Sequence, residues 1–252
     1  MKTIDFYHNQ IICGDCLTVM REMCDESVDL VVTSPPYNLR NSSGNNGKST
    51  KWRIQQHGYS HHDDNMPHEE YVAWQRKCLS EMMRLIKDTG AIFYNHKWRV
   101  QNGLMQDRQD IVNGFPVRQI IIWQRKGGLN FNSSYFLPTY EVIYLIAKPK
   151  FYLVPKANHV GDVWKFEQET KSKHPCAFPV GLPERIIGST NAAVILDPFM
   201  GSGTTAVAAK RLNRQYIGID ISPNYCEMAE ERIATDGVFF AMQKELLKGG
   251  ST

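Results

Sequence analysis

A single Gly-rich turn constrains this chain more than any other stretch. It reads Asp197-Pro-Phe-Met-Gly-Ser-Gly-Thr-Thr205 and lies between an apolar, β-branched segment at 193–196 and a helix-favouring segment at 206–212. A second apolar segment, 216–219, follows and ends in Asp220. The glycines let the backbone approach a ligand closely, and the helix N-terminus offers free N–H groups. The pattern predicts a strand–turn–helix–strand unit that binds a nucleotide or a nucleoside.

The residues of this turn discriminate between the possible ligands. A phosphate-binding P-loop needs a lysine after its last glycine, where this chain has Thr204. The dinucleotide fingerprint needs three spaced glycines, and the turn supplies only Gly201 and Gly203. Asp197 at the mouth suits a ligand with an ammonium group, and Asp220 stands where such units bind ribose hydroxyls. The sequence therefore favours a nucleoside with a cationic tail, such as S-adenosylmethionine, with an ordinary αβ turn as the alternative.

The elements around this unit predict the fold class. Apolar segments typical of strands lie at 10–13, 28–33, 91–94, 118–123, 141–146, 193–196 and 216–219. Helices are predicted near residues 17, 67, 97, 180, 204 and 222, the third of them over Lys97 to Val112. This alternation is typical of an α/β, Rossmann-like fold with a doubly wound sheet, here of seven strands. No helix separates 118–123 from 141–146, so one of these two strands is expected to be antiparallel and the sheet to be mixed.

Size and composition narrow the class of protein further. At 252 residues the chain suits one α/β domain over 1–252 with insertions. With 42% apolar and 22% charged residues, it has no apolar run of membrane-spanning length. The first residues lack the apolar core of a signal peptide, so we expect a cytoplasmic protein with reduced cysteines. Cys13 and Cys16 have metal-ligand spacing but no second pair, so no metal is expected.

The distribution of charge is more informative than the net charge of +3. The stretch from Leu39 to His62 contains four Lys/Arg and no acid, and the stretch from Val117 to Tyr140 contains three and no acid. Such stretches suit a polyanionic partner, although a solvated surface has the same composition. Residues 39–66 also lack apolar periodicity, and insertions of that length are usually functional or disordered. The sequence thus predicts a mobile loop at about 39–66.

A second constellation, Thr33-Ser-Pro-Pro-Tyr-Asn38, follows the strand predicted at 28–33. The carboxyl ends of strands are where ligand sites of open α/β sheets lie. The two prolines restrict the backbone, so that the oxygens of Ser34 and Pro35 point in set directions. Tyr37 offers an aromatic face. Alone, such a loop is better explained as a rigid turn with a packed tyrosine. The presence of the Gly-rich unit in the same chain is what favours a functional site.

Together the two motifs resemble those of the DNA methyltransferases that modify exocyclic amino groups. Residues 34–37 are similar to the catalytic motif of that family, and residues 197–204 to its cofactor motif. Further similarities lie at Gly14-Asp15, Asp162-Val-Trp164 and His174-Pro-Cys-Ala-Phe-Pro179, so that the resemblance spans most of 10–233. The catalytic motif precedes the cofactor motif, as in the beta arrangement of the family. That arrangement places target recognition between them, here at about 98–165.

The resemblance implies an enzyme that moves a methyl group from S-adenosylmethionine to the exocyclic amine of a base flipped out of double-stranded DNA. Ser34 and the Pro35 carbonyl would accept the amino protons, and Tyr37 would stack on the base. The implied catalytic residues are Ser34, Pro35, Pro36 and Tyr37. The implied cofactor residues are Asp15 (adenine), Asp220 (ribose), Asp197 (ammonium), His174 and Pro175 (methionine side), and Pro198, Phe199, Gly201, Ser202, Gly203 and Thr204 in the turn. The expected DNA contacts are Lys48, Lys51 and Arg53 to phosphates and Arg125, Lys126 and Asn130 to bases.

Several alternatives stay open at this point. Ser34 with His174-Pro175 favours N4 of cytosine, although some adenine-N6 enzymes also carry serine there. Pro175-Cys176 is superficially similar to the nucleophile of C5-cytosine enzymes, but it precedes the cofactor motif and follows no strand. Methyltransferases of RNA or of glutamine amides share the Pro-Pro-Tyr loop, and an inactive DNA-recognition subunit is the alternative of another class. The resemblance further implies a restriction–modification setting with a cognate endonuclease, and it makes a homodimer an expectation.

Overall fold

The computed structural model describes residues 4–38, 66–101, 104–125, 133–167 and 179–249, with side chains up to Asp236 in the last range. Within these ranges the strands are β1 Gln10–Cys13, β2 Val28–Thr33, β3 Ile86–His96, β4 Arg99–Gln101, β5 Leu104–Gln106, β6 Val117–Gln124, β7 Tyr140–Ala147, β8 Val163–Lys165, β9 Val194–Asp197 and β10 Gln215–Asp220. The α-helices are α1 Cys16–Glu22, α2 His68–Leu85, α3 Gln109–Val112, α4 Gly181–Gly188, α5 Thr204–Arg211 and α6 Pro223–Gly249. Two short 3-10 helices lie at Ile4–Tyr7 and Ala157–His159.

Eight of the described strands form one sheet in the order β1-β10-β9-β2-β3-β7-β6-β8. Every neighbouring pair is parallel except the two pairs that β7 makes with β3 and β6. The predicted mixed, doubly wound α/β sheet is therefore confirmed, and β7 is its antiparallel strand. The expected number of seven strands was wrong by one. The additional strand, β8, is three residues long and lies at the edge of the sheet, so its sequence shows no detectable alternation.

Alternating side chains of the central strands supply two apolar clusters, one on each face. In β2, Leu30 and Val32 belong to one cluster and Val31 to the other. Helices α1 and α2 pack on the face of Val31, whereas α4, α5 and α6 contribute to the opposite cluster. Strands that are buried on both faces explain why these segments are nearly continuous apolar runs.

The connections leave β2 and β9 towards opposite faces of the sheet. The next helix after β2 is α2, which packs on one face, and the helix that follows β9 is α5, which packs on the other. Since β2 and β9 are neighbouring parallel strands, a crevice is expected between their carboxyl ends. A crevice at such a switch point is the usual ligand site of an open α/β sheet.

The helix predicted over Lys97 to Val112 was wrong. This stretch contains the antiparallel hairpin β4–β5 and the single helical turn α3. Asn102-Gly103, the dipeptide between the two strands in the chain, is a typical hairpin signal that a helical interpretation overlooked. At the base of the hairpin, Arg99 donates from Nη1 to the Asn38 carbonyl (2.6 Å) and from Nε to Gln106 Oε1 (2.8 Å). The hairpin is thereby fixed to the loop that follows β2.

Strands β6, β7 and β8 fall inside the stretch 98–165 that the sequence assigns to target recognition. Outside these three strands, the stretch contains the hairpin and the segments between the strands, and a role of these parts in target recognition stays a prediction. Most of the loop expected at about 39–66 lies outside the described residues. Among the helices in the described part of the chain, none is both long and apolar enough to cross a membrane.

Gly203 provides a stability test of the packing between α5 and α6. Its φ is +80°, and a Cβ added there would lie 2.8 Å from the Ala229 Cβ. We expect Gly203→Ala to lower the free energy of unfolding by about 1 kcal/mol through the left-handed backbone and by about 1–3 kcal/mol more through crowding. Gly114→Ala is the matched control, because Gly114 has φ +86° but its nearest neighbour in this test is the flexible Arg76 tip at 3.9 Å. Equal losses in denaturant unfolding would contradict the assigned crowding.

Candidate active site

The two sequence motifs lie side by side at the carboxyl edge of the sheet. Thr33 ends β2 and donates from its hydroxyl to Asp197 Oδ1 at 2.7 Å. Thr205, in the first turn of α5, donates to Asp197 Oδ2 at 2.7 Å. Asp197 ends β9, so one carboxylate joins the strand before the Ser-Pro-Pro-Tyr loop to the helix after the Gly-rich turn. Thr33 and Asp197 are 164 positions apart in the chain, and only the strand pairing brings them together.

Asp197 is enclosed by neutral groups. It is 2% exposed, and its third donor is the Phe199 amide at 3.1 Å. Burial raises the pKa of Asp197 to about 6; the negative charge of Asp220 acts in the same direction, and the hydrogen bonds from Thr205 and Thr33 act against it. An anion that is buried among neutral donors is a favourable place for a cation to bind.

The Gly-rich turn is held by the second acidic residue, Asp220. Gly201 and Gly203 have φ of +52° and +80°, as the sequence pattern requires. The Gly201 amide donates to Asp220 Oδ2 (2.9 Å), and the Ser222 amide donates to Oδ1 (2.9 Å). Asp220 is partly exposed at the tip of β10, whereas Pro198 is buried beneath the turn and Phe199 is partly buried. The carboxylate therefore shapes the turn and still borders the crevice.

Arg232 of α6 fixes the far side of the turn. Its Nη1 lies 3.2 Å from the Ser202 hydroxyl and 3.0 Å from the Thr204 hydroxyl, and both of these residues are buried. The sequence analysis missed Arg232, because a single arginine 28 residues beyond Thr204 has no local signal. Through Arg232, the hydroxyls of Ser202 and Thr204 connect the Gly-rich turn and the start of α5 to α6. A contact of either residue with a cofactor stays a prediction.

Asp15 lies just after the neighbouring edge strand β1, at the N-terminus of α1. It is exposed and caps α1, with Oδ1 accepting from the Thr18 amide at 2.8 Å and from the Thr18 hydroxyl at 2.9 Å. The adjacent Gly14 amide donates to the Asp220 carbonyl at 2.9 Å. Asp15 therefore borders the same crevice as Asp220, but its observed bonds are those of a helix cap. Its role at an adenine ring stays a prediction.

A buried polar network lies behind the Ser-Pro-Pro-Tyr loop. The Ser34 hydroxyl is 2.6 Å from the Tyr37 hydroxyl, which donates to Glu141 Oε2 at 3.1 Å. Asn95 Nδ2 lies 3.2 Å from Ser34 Oγ, 2.8 Å from the Tyr37 oxygen and 3.1 Å from Glu141 Oε2. Glu141 at the start of β7 is 6% exposed, and Asn95 near the end of β3 is 3% exposed. The sequence analysis missed both, although polar residues at the ends of apolar strands were a usable signal.

The Tyr37 ring packs against a neutral histidine. Its centroid is 4.9 Å from that of His96, with 35° between the planes, and Tyr37 is 7% exposed. Burial and the positive charge of Arg108 hold the pKa of His96 well below its usual value. A base that stacks on Tyr37 would have to take the ring face opposite His96. The stacking of a base on Tyr37 stays a prediction, and the geometry specifies which face of the ring the base would contact.

Tyr71 of α2 also holds the Ser-Pro-Pro-Tyr loop in place. Its hydroxyl lies 2.7 Å from the Pro36 carbonyl and 2.6 Å from His96 Nε2, and Tyr71 itself is fully buried. Pro35 is also buried, while Ser34 and Pro36 are partly exposed. The loop is therefore held by side chains on three elements, which suits a site that must present hydrogen-bond acceptors in fixed directions.

The DNA contacts expected from the sequence are mostly outside the described residues. Arg125 is described: its side chain is 12% exposed, and its Nε lies 3.4 Å from Glu141 Oε1 without hydrogen-bond geometry. It therefore balances the charge of a buried acid in this structure, and its role in base reading stays a prediction. Five expected DNA contacts lie outside the described ranges: Lys48, Lys51, Arg53, Lys126 and Asn130. The expected cofactor residues His174 and Pro175 lie outside them as well.

The Cys13 and Cys16 side chains do not converge on a common site. Cys13 is exposed, whereas Cys16 is buried with its Sγ 3.9 Å from that of Cys78. In the part of the chain that the structure describes, no three His, Cys, Asp or Glu side chains form a group that could hold a metal ion.

The sequence of this chain is similar to that of known DNA-modifying proteins. A family model described as DNA methylase matches residues 28–231. The Type II methyltransferase M.BglII of Bacillus subtilis is 31% identical over 88% of this chain and 68% of that protein. The Type II methyltransferase M2.MboI of Moraxella bovis is 29% identical, over 87% and 85% of the two chains.

Two solved structures match over almost the whole chain. TTHA0409 of Thermus thermophilus, complexed with S-adenosyl-L-methionine, gives a TM-score of 0.67 at 25% identity over 90% of this chain and 94% of that one. PvuII DNA methyltransferase, which is cytosine-N4-specific, gives a TM-score of 0.69 at 18% identity over 92% of each chain. At that identity the second match shows a shared fold.

Proposed function

Since this chain belongs to the DNA methylase family whose model matches residues 28–231, we propose that it transfers a methyl group from S-adenosylmethionine to the exocyclic amine of a base flipped out of double-stranded DNA, at N4 of cytosine in preference to N6 of adenine. The observation that supports the proposal is the hydrogen bond from Thr33 to Asp197, which joins the strand before the Ser-Pro-Pro-Tyr loop to the strand before the Gly-rich turn.

The chemistry explains why the loop needs hydrogen-bond acceptors. The lone pair of an exocyclic amine is conjugated into the ring, so the nitrogen is a poor nucleophile. Acceptors aimed at its two protons favour a pyramidal nitrogen and stabilise the positive charge that develops in the transition state. Ser34 and the Pro35 carbonyl provide those acceptors. Stacking on Tyr37, worth about 1–3 kcal/mol, offsets much of the few kcal/mol that base extrusion costs.

The cofactor is expected to lie along the Gly-rich turn. Asp197 attracts the methionine ammonium because it is a buried anion with neutral donors. Asp220 at the tip of β10 faces the ribose hydroxyls, and Asp15, which follows β1 and caps α1, lies towards the adenine. The complex of TTHA0409 with S-adenosyl-L-methionine supports this choice of cofactor.

Product analysis is the experiment that tests the function and the base. Plasmid DNA is incubated with the protein and S-adenosylmethionine that carries a labelled methyl group, and the DNA is then digested to nucleosides. We expect label in N4-methylcytosine, as the serine at position 34 favours. Label in N6-methyladenine would move the proposal to the other base. Label in RNA or protein, or no transfer at all, would support the rival functions.

Phosphate contacts are tested by the salt dependence of DNA binding. We propose that Lys48, Lys51 and Arg53 contact phosphates, because they lie in the acid-free stretch 39–62. Each substitution by alanine is then expected to lower the slope of log affinity against log salt concentration by about 0.9. Lys150→Ala is the control, since Lys150 is exposed and pairs with Asp88 at the opposite edge of the sheet. An unchanged slope in the first three variants would remove the assignment.

The relatives named Type II methyltransferases support a site-specific enzyme that protects DNA from a restriction endonuclease. We therefore propose a cognate endonuclease acting at the same site. Modified plasmid should resist that endonuclease and remain sensitive to enzymes with other sites. We also propose that the protein forms a homodimer, as the family resemblance implies. Equilibrium sedimentation, which measures the mass of the particle in solution, tests this proposal.

A further inference from the structure

We propose that Glu141 is the terminal acceptor of the proton that the methylated amine releases, and that it acts through Tyr37 and Ser34. Glu141 does not touch the base itself, because the hydroxyl groups of Ser34 and Tyr37 lie between them. It is therefore a positioning residue that acts through these two hydroxyls. The inference rests on the proposed methyl transfer to an exocyclic amine and adds to it a path for the proton.

The hydrogen-bond directions follow from the number of hydrogens available. Glu141 Oε2 is an acceptor, so the single hydroxyl hydrogen of Tyr37 is committed to it at 3.1 Å. Across the 2.6 Å contact between Ser34 and Tyr37, the serine must then be the donor. This leaves lone pairs on Ser34 Oγ for an amino proton. The carboxylate thus decides that Ser34 presents an acceptor to the substrate.

Asn95 keeps the three oxygen atoms of the path together. Its Nδ2 lies 3.2 Å, 2.8 Å and 3.1 Å from the oxygens of Ser34, Tyr37 and Glu141, respectively. An amide nitrogen only donates, so Asn95 cannot carry the proton itself. It holds the oxygen atoms in place and leaves the relay to the hydroxyls.

The groups that face Glu141 are two hydrogen-bond donors and one cation, and all of them favour a carboxylate there. The Ser-Pro-Pro-Tyr loop contributes Tyr37, β3 contributes Asn95, and Arg125 follows β6 with its Nε 3.4 Å from Glu141 Oε1. Glutamine could accept the same bond from Tyr37 without the cost of burying an anion. A proton acceptor, by contrast, needs the carboxylate.

The transfer balances in atoms and charge. The amine nitrogen forms a bond to the methyl carbon while the carbon–sulfur bond breaks, and that electron pair stays on sulfur. The nitrogen is then positively charged and gives up one proton to Ser34 Oγ. The serine proton passes to the Tyr37 oxygen, and the Tyr37 proton passes to Glu141 Oε2. The products are a neutral base with an N-methylated amino group, a neutral thioether and a protonated Glu141, which returns its proton to solvent after product release.

Glu141→Gln tests the proton acceptor directly. We expect the methyl-transfer rate in a single turnover, with DNA and cofactor already bound, to fall about 100-fold, the lower range for general base catalysis. Cofactor affinity should stay unchanged, which also shows that the variant is folded. The rate of the variant should rise with pH as hydroxide replaces the lost base, and Glu141→Asp should recover part of the rate. A loss that is the same at every pH would show a merely structural role and overturn the proposal.

Tyr37→Phe interrupts the same path at its centre and retains the aromatic ring. Its defect should match that of Glu141→Gln, and the double variant should be no slower than either single one, because all three break one relay. Independent, additive losses would contradict the relay. Failure of the proposed function is distinguishable: in that case the unaltered protein itself transfers no methyl group to DNA.

Discussion

Replacing Asp197 by asparagine is expected to make the protein more stable and to weaken its binding of S-adenosylmethionine about 10- to 100-fold, the worth of one hydrogen bond to a charged group. The side chain fits: the amide oxygen accepts from Thr33 and Phe199, as Oδ1 now does. The amide nitrogen donates to the Thr205 hydroxyl, which can turn to the Val32 carbonyl at 3.2 Å. The substitution therefore removes a buried charge and keeps the three existing hydrogen-bond contacts, while the second hydrogen of the amide nitrogen gains no assigned partner.

The gain in stability has a defined pH window. Because burial raises the pKa of Asp197 from 3.8 to about 6, the ionised form destabilises the fold. This cost is fully present above about pH 6 and absent below pH 3.8. A shift of this size corresponds to roughly 3 kcal/mol. After allowing for weaker bonds to the amide, we expect the variant to be about 2 kcal/mol more stable at neutral pH, or ~5 °C in Tm.

Thermal unfolding and cofactor titration of the two proteins over roughly pH 5 to 8 check both effects. The difference in Tm should shrink as the pH falls below 6, and the cofactor affinity of the unaltered protein should fall in the same range. Asp29→Asn is the matched control, since Asp29 lies in β2 at the opposite edge and pairs with Lys87. That variant should lose stability and keep its affinity. A destabilised Asp197→Asn with normal affinity would refute the assignment.

Substituting Ser34 by alanine is expected to have the largest effect on the chemical step. Ser34 is the acceptor that meets the amino group, and removal of one preorganised hydrogen-bonding group of this kind costs about 10²–10³ in rate. Cofactor affinity should not change, because Ser34 belongs to the loop after β2, whereas the cofactor turn follows β9. The single-turnover rate on duplex DNA and the equilibrium affinity for S-adenosylmethionine separate the two steps.

Ser80→Ala is the control for this experiment. Ser80 lies on the exposed face of α2, with its hydroxyl bonded to the Arg76 carbonyl at 2.9 Å. Its removal should leave the rate unchanged. If Ser34→Ala transferred methyl groups at the normal rate, Ser34 would have no catalytic role, and the acceptor for the amino proton would have to be another group of the crevice.

Most of the fold could be predicted from local patterns. Buried parallel strands are continuous apolar runs, so the seven expected strands all occur, with ends shifted by a few residues. The errors arose in two segments whose local sequence pattern does not indicate their secondary structure. Strand β8 is too short to show alternation. The Lys97 to Val112 region, where the sequence analysis predicted a helix, contains a hairpin with Arg99 bonded at its base.

The candidate site was accessible from the sequence only in part. The Gly-rich turn and the Ser-Pro-Pro-Tyr loop have fixed spacing, since each is built from consecutive residues. Glu141, Asn95 and Arg232 have no such spacing, because they reach the loops from strands and helices far away in the chain. Their partners depend on strand order, which local periodicity does not encode.

The sequence by itself determined the two loops, the glycines that permit their backbone, and the alternation of strand and helix around them, because these depend on interactions between neighbours in the chain. The tertiary structure alone decided that Thr33 and Asp197 share a bond, that Asp197 has its charge buried among neutral donors, and that Glu141 lies behind Tyr37. The reason is physical: burial and charge are properties of the space between elements, and that space exists only once β2, β9 and β7 have taken their places in the sheet.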